Sequence, residues 1–162
     1  MTMTETTEGS YSRARRKLVI ARLELMGQLA KFAPDELTKH PIAGEFSPLQ
    51  LTHYVYIADG FGLEQMKRVQ SEDNPLIADL NEHAPRLMQE VEEPTSLDAV
   101  FAGMTARREE IFEYLSSLSE AAWRRPYSNA HGEEQLFPEL VNMLALHDQQ
   151  QAQQLMKLKD AL

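Results

Sequence analysis

Apolar positions along this chain recur at helical spacing, with no strand-like alternation of useful length. Tyr11, Ala14, Leu18, Ala21, Leu25, Leu29 and Phe32 form one stripe, which predicts a first helix from a cap at Ser10 to about Phe32. Pro34 ends it, because proline restricts the residue before it and donates no backbone hydrogen bond. Ser47-Pro48-Leu49-Gln50 is a strong helix start, with a capping serine, proline in the first turn and a glutamine placed to close a capping box. The second helix should reach about Val69, with a stripe of Leu49, His53, Tyr56, Gly60 and Leu63 flanked by Ile57 and Glu64.

Residues 71–75 read as a turn, and residues 75–91 as short or kinked helix around Pro85. Thr95 or Ser96 should cap a third long helix whose stripe is Leu97, Phe101, Met104, Arg108, Ile111, Leu115 and Leu118. Residues 119–123 make one helical turn at most, and 124–134 form the longest loop. The last helix runs from about Gln135 to Ala161 and tolerates Pro138 in its first turn. The prediction is all-α: one four-helix-bundle domain over residues 10–162 behind a frayed tail at 1–9. The connection between the second and third long helices is long enough to cross the bundle.

The informative positions are the polar ones lying on apolar stripes. In the last helix Leu140, Leu144, His147, Gln151, Leu155 and Leu158 share a face whose centre is histidine, then glutamine. His53 and Arg108 interrupt their own stripes in the same way, Arg108 with Arg107 beside it. Polar groups on a buried face need partners. His147 and Gln151 are one turn apart, a spacing that puts two ligands on one face. If His53 faces His147 across the bundle, two imidazoles meet at one point, which is how metal sites in helical bundles are assembled. Ordinary hydrogen-bonded core histidines and a glutamine amide bonded to one of them are the competing reading. Arg108 suits either an anion clamp or a salt bridge, for which Glu64 is the candidate partner. Asp148 is expected to face outward or to support an imidazole. His40, His83 and His131 read as surface or loop residues, and Trp123 and Tyr127 as packing and rim.

Composition narrows the chemistry. Hydrophobic residues make up 43% of the 162 residues and charged residues 25%, which suits a folded globular chain. Sixteen basic against 25 acidic residues give a net charge of -9, which disfavours nucleic acid as a partner. The cluster Arg13, Arg15, Arg16 and Lys17 reads as a solvated helix face. With no cysteine there is no disulfide, thiolate ligand or cysteine nucleophile. No signal peptide or membrane span is expected, so a cytoplasmic location is the default and no membrane partner is foreseen.

Three segments together resemble the DinB/YfiT-like superfamily of metalloenzymes. They are Phe46-Ser47-Pro48-Leu49-Gln50-Leu51-Thr52-His53, Arg107-Arg108-Glu109-Glu110-Ile111 through Trp123, and Leu146-His147-Asp148-Gln149-Gln150-Gln151. The resemblance covers about residues 11–160. It implies a four-helix bundle, often a homodimer, holding a divalent metal such as nickel, zinc or manganese on three histidines. His53 and His147 match two of those positions, and Gln151 stands where the third histidine is usual. An amide oxygen is a weak ligand for zinc or nickel, so this site should bind metal less tightly than a three-histidine one. The resemblance further implies a low-molecular-weight thiol as cofactor, since some members are thiol-dependent transferases or isomerases. Its name refers to induction by DNA damage and implies a stress response, with no DNA binding. Two functions follow as expectations. One is a metal-dependent, thiol-using transferase or hydrolase with His53, His147 and Gln151 as ligands, Arg108 binding substrate, and Asp148 and Glu64 supporting. The other is a metal-free, non-catalytic dimer that serves in stress or binds a small molecule.

Overall fold

The computed structural model describes residues 9–94 and 96–162. The expected N-terminal tail therefore lies outside the described residues, apart from Gly9. Four long helices dominate: α1 (Ser10–Leu29), α2 (Pro48–Ser71), α4 (Leu97–Ser116) and α6 (Phe137–Asp160). Two shorter ones, α3 (Leu80–Met88) and α5 (Glu120–Trp123), fill the connections. None is long and apolar enough to cross a membrane.

Local chemistry sets most helix starts. Ser47 Oγ accepts from the Gln50 amide while Gln50 Oε1 accepts from the Ser47 amide, the reciprocal pair that the sequence predicts. Asp79, Ser96 and Ser119 cap α3, α4 and α5 through their side chains. Ser10 does not cap α1. Gly9 takes the cap position, and Ser10 Oγ instead donates to Glu120 Oε2 at 2.9 Å, tying α1 to α5. Helix α1 also stops at Leu29, and Pro34 opens a short 3-10 helix (Pro34–Glu36).

The expected loop at 124–134 contains a small antiparallel ribbon, β1 (Pro126–Ser128) with β2 (Glu134–Leu136), Tyr127 facing Gln135. Gly132, with φ of 79°, permits its turn. Strands of three residues are too short to show alternation. Arg125, just before β1, donates to the Val69 and Glu72 carbonyls at 2.8 and 2.9 Å, satisfying acceptors at the end of α2. Trp123 and Tyr127 are buried, Trp123 edge-on to Phe137, so both serve packing.

Helix α6 packs along α1 and α2, and α2 also packs on α4; α1 and α4 scarcely touch. One apolar cluster joins the starts of α1 and α6 to the ends of α2 and α4. A second joins the opposite ends. Thus α1 runs parallel to α6, α2 runs parallel to α4, and the two pairs are antiparallel. A Cβ on Gly62 would lie 2.8 Å from the Leu144 side chain, so glycine there lets α2 approach α6 closely.

Candidate functional site

Between the two apolar clusters lies a layer of four charged side chains, one from each long helix. Asp59 of α2 and Asp148 of α6 are each 1% exposed, and Arg108 of α4 is 6% exposed. Arg22 of α1 completes the layer. Its Nε donates to Asp148 Oδ2 at 3.0 Å, and its Nη2 to Asp59 Oδ2 at 2.8 Å and Asp148 Oδ1 at 3.2 Å. Arg108 Nη2 donates to Asp59 Oδ1 and Asp148 Oδ2 at 3.0 and 3.2 Å, and its Nη1 to the Leu18 carbonyl at 3.4 Å. Each arginine therefore bridges both carboxylates, and the four formal charges cancel.

Arg108 is buried in a salt bridge, but Glu64 is not its partner. Glu64 is exposed. Asp59 lies five positions earlier on the same helix, about 140° away around the axis, and takes the inward place. Asp148 does not face outward; it is buried between two guanidinium groups. Arg22 and Asp59 were missed because a charged residue on an amphipathic helix reads by default as solvated. The available signal was spacing: Arg22 lies between Leu18 and Leu25, and Asp59 one turn after Val55.

His147, adjacent to this layer, is 2% exposed. Tyr54 packs against it, ring centroids 5.1 Å apart in an edge-on arrangement, and Phe46 lies 5.5 Å from Tyr54. His53 precedes Tyr54 and is half-buried, its ring stacked on Tyr56 at 6.1 Å. It borders a cavity of about 270 Å³ with Phe46, Pro85 and Met88. Gln151, one turn beyond His147, borders a different cavity of about 340 Å³ with Phe46, Leu51, Tyr54 and Pro85. Phe46 and Pro85 line both cavities, and His147 lines neither. Among the described residues no group of three or more His, Cys, Asp or Glu is arranged to hold a metal. Among the described residues two buried side-chain polar atoms lack any hydrogen-bond partner: His53 Nδ1 and His147 Nε2. His83, expected at the surface, is half-buried and stacked on Phe61.

Residues 14–155 match the DinB superfamily. The chain belongs to this family. Its fold is that of solved four-helix bundles. It superposes on YfiT from Bacillus subtilis, described as a probable metal-dependent hydrolase with an unusual four-helix bundle topology. That match has a TM-score of 0.72 and 12% identity, covering 93% of this chain and 86% of that one. A second is TT2238, a four-helix bundle protein, with a TM-score of 0.63, 17% identity and coverage of 91% and 98%. A third is a mycothiol-dependent maleylpyruvate isomerase, with a TM-score of 0.60, 18% identity and coverage of 90% and 62%. No curated protein matches by sequence. At these identities the superpositions carry the fold alone.

The electrostatics of the DinB-like core give a pH dependence. Burial holds the His147 pKa below its ordinary value, although Asp148 and Asp59 pull the other way. Burial likewise lowers His53. Asp59 would be raised by burial, but Arg108 and Arg22 outweigh this and hold it low. All three groups bind fewer protons folded than unfolded. Their stabilisation is complete above the ordinary imidazole pKa of about 6.5 and falls as the pH drops below it, the carboxylate share going only below about pH 4. Urea titrations of the metal-stripped protein should show a midpoint that is level near pH 7–8 and declines below about pH 6.5. His147→Gln should flatten the decline between about pH 6.5 and 5, and an unchanged slope would remove His147 as its source.

Proposed function

We propose that this DinB-superfamily protein binds a divalent cation weakly through His53 and His147, with the Gln151 amide oxygen as a third donor, and uses it in a hydrolase or thiol-dependent transfer reaction. One observation carries the reading. Buried polar atoms are almost always paired, and among the described residues the two that are not belong to the two histidines that match the family's metal positions. An imidazole nitrogen with no protein partner can turn its lone pair to a ligand when the ring proton sits on the other nitrogen. The donor set fits a cation that tolerates mixed nitrogen and oxygen donors better than one demanding three imidazoles. Once bound, such an ion lowers the pKa of a coordinated water or thiol. The chain's own contribution would be to keep both imidazoles neutral by burial and to shield His147 behind Tyr54.

A second reading, a metal-free binder of small molecules, is favoured by Gln151 and by the wall of Phe46 and Pro85 between the cavities of His53 and Gln151. Elemental analysis of protein purified without a histidine tag separates the two. Metal in the wild type after incubation with nickel, zinc or manganese, lost in His53→Ala, is the expected result. Absence of metal in the wild type after all three incubations would leave the metal-free reading.

A further inference from the structure

The loose contact between α1 and α4 leaves a groove of about 280 Å³ on the open side of the bundle. None of His53, His147 and Gln151 lines it, so binding there is independent of the metal reading. Its walls are Met26 of α1 and Phe101, Met104 and Phe112 of α4, and its floor is Arg22 and Arg108. The floor is a built polar surface. Arg22 uses Nε and Nη2 on the two aspartates, while its Nη1 donates to no described protein group. That nitrogen is also absent from the sealed, unpartnered atoms, so solvent reaches it.

We infer that this groove binds an uncharged, mainly apolar small molecule carrying one carbonyl-type oxygen, which accepts from Arg22 Nη1. Three observations choose this chemistry. The flat Nε–Nη2 edge of Arg22 already holds Asp148 in a fork, and Nη2 also donates to Asp59, so neither edge is left for a second carboxylate or phosphate fork and Nη1 remains for a single acceptor. The four-residue layer is neutral as a whole, and Glu109 adds a negative charge to the lining, so a second anion gains little. Aromatic and thioether walls suit a flat or flexible hydrocarbon body. The volume is roughly twice that of an engineered cavity of about 150 Å³ that takes benzene, which points to a ligand of about ten heavy atoms.

Three probes of nearly equal shape test the assignment: 4-phenyl-2-butanone, n-butylbenzene without the oxygen, and 3-phenylpropanoate with a carboxylate. Methionine methyl NMR reports on Met26 and Met104 directly. The ketone should shift both signals saturably. The hydrocarbon and the carboxylate should each bind about tenfold or more weakly, because each lacks a neutral acceptor held by a charged donor. Thr105→Trp places a large side chain from the exposed lining into the groove and should abolish the shifts while the fold, read by circular dichroism, is kept. No saturable shift with the ketone would overturn the inference. So would equal or tighter binding of either control, or ketone binding unchanged in Thr105→Trp. A change of sedimentation mass in that variant would assign the groove to a second copy of the chain and overturn it equally.

Discussion

Asp59→Ala is expected to lower the unfolding free energy by about 3–5 kcal/mol, the range for removing one partner from a buried ion pair. Its effect should exceed that of most single apolar truncations here, because it strands two guanidinium groups at once. Arg22 and Arg108 would be left sharing Asp148 in a largely buried layer that solvent reaches only at the outer edge of Arg22, with a net charge of one where there was none. For a domain of this size the loss corresponds to a fall in melting temperature of about 6–20 °C. Urea unfolding at pH 7.5 measures it. A loss under about 1 kcal/mol would mean that the layer is solvated and does not hold the helices. Replacing all four charged residues with apolar ones of similar volume should be far milder, because no buried charge is then stranded. The contrast between the single and the fourfold variant separates the cost of an unpaired charge from the value of the layer itself. One role of such a layer is to set the register of four helices whose apolar clusters, above and below it, are otherwise nondirectional.

Gln151→His is the second large effect. If His53 and His147 present lone pairs toward one ion, a third imidazole on the next turn of α6 should raise zinc or nickel affinity by more than about 100-fold. Loss of a mere supporting partner around a metal already changes affinity by about 10–100-fold, and a direct ligand does more. Isothermal titration of the metal-stripped variant beside the wild type measures the change. Equal affinities would show that Gln151 does not point where the two imidazoles meet.

Legibility in the sequence divided along physical lines. Helix starts governed by local chemistry are readable: Ser47 with Gln50, Ser96, and Pro138 inside the first turn of α6. Ser10 misled because its hydroxyl is claimed by Glu120, more than a hundred residues away, an interaction that no local pattern encodes. The stripe assigned to α2 was rotated. This helix is buried against α6, α4 and α3, so its inward surface is wide, and Leu51, Val55, Ala58 and Met66 form its centre while Tyr56 and Gly60 lie at the edge. That rotation turns Asp59 inward and Glu64 to solvent. The polar centre of the bundle was visible from His147 and Arg108, but its composition was not. Arg22 and Asp59 become core residues only when their opposite charges are brought together. The ribbon at 126–136 rests on pairing with residues 75–77 and on the Gly132 turn, neither of which three-residue strands announce.

The two buried imidazole nitrogens, His53 Nδ1 and His147 Nε2, are the proposed ligands of one cation. Nitrogen-15 NMR of the histidine rings during addition of zinc to metal-stripped protein observes those atoms themselves. The ring resonances of His53 and His147 should move together and saturate at one equivalent of zinc, while those of His40, His83 and His131 stay in place. Zinc in large excess that leaves His53 and His147 unmoved, or moves them at different stoichiometries, would contradict the claim.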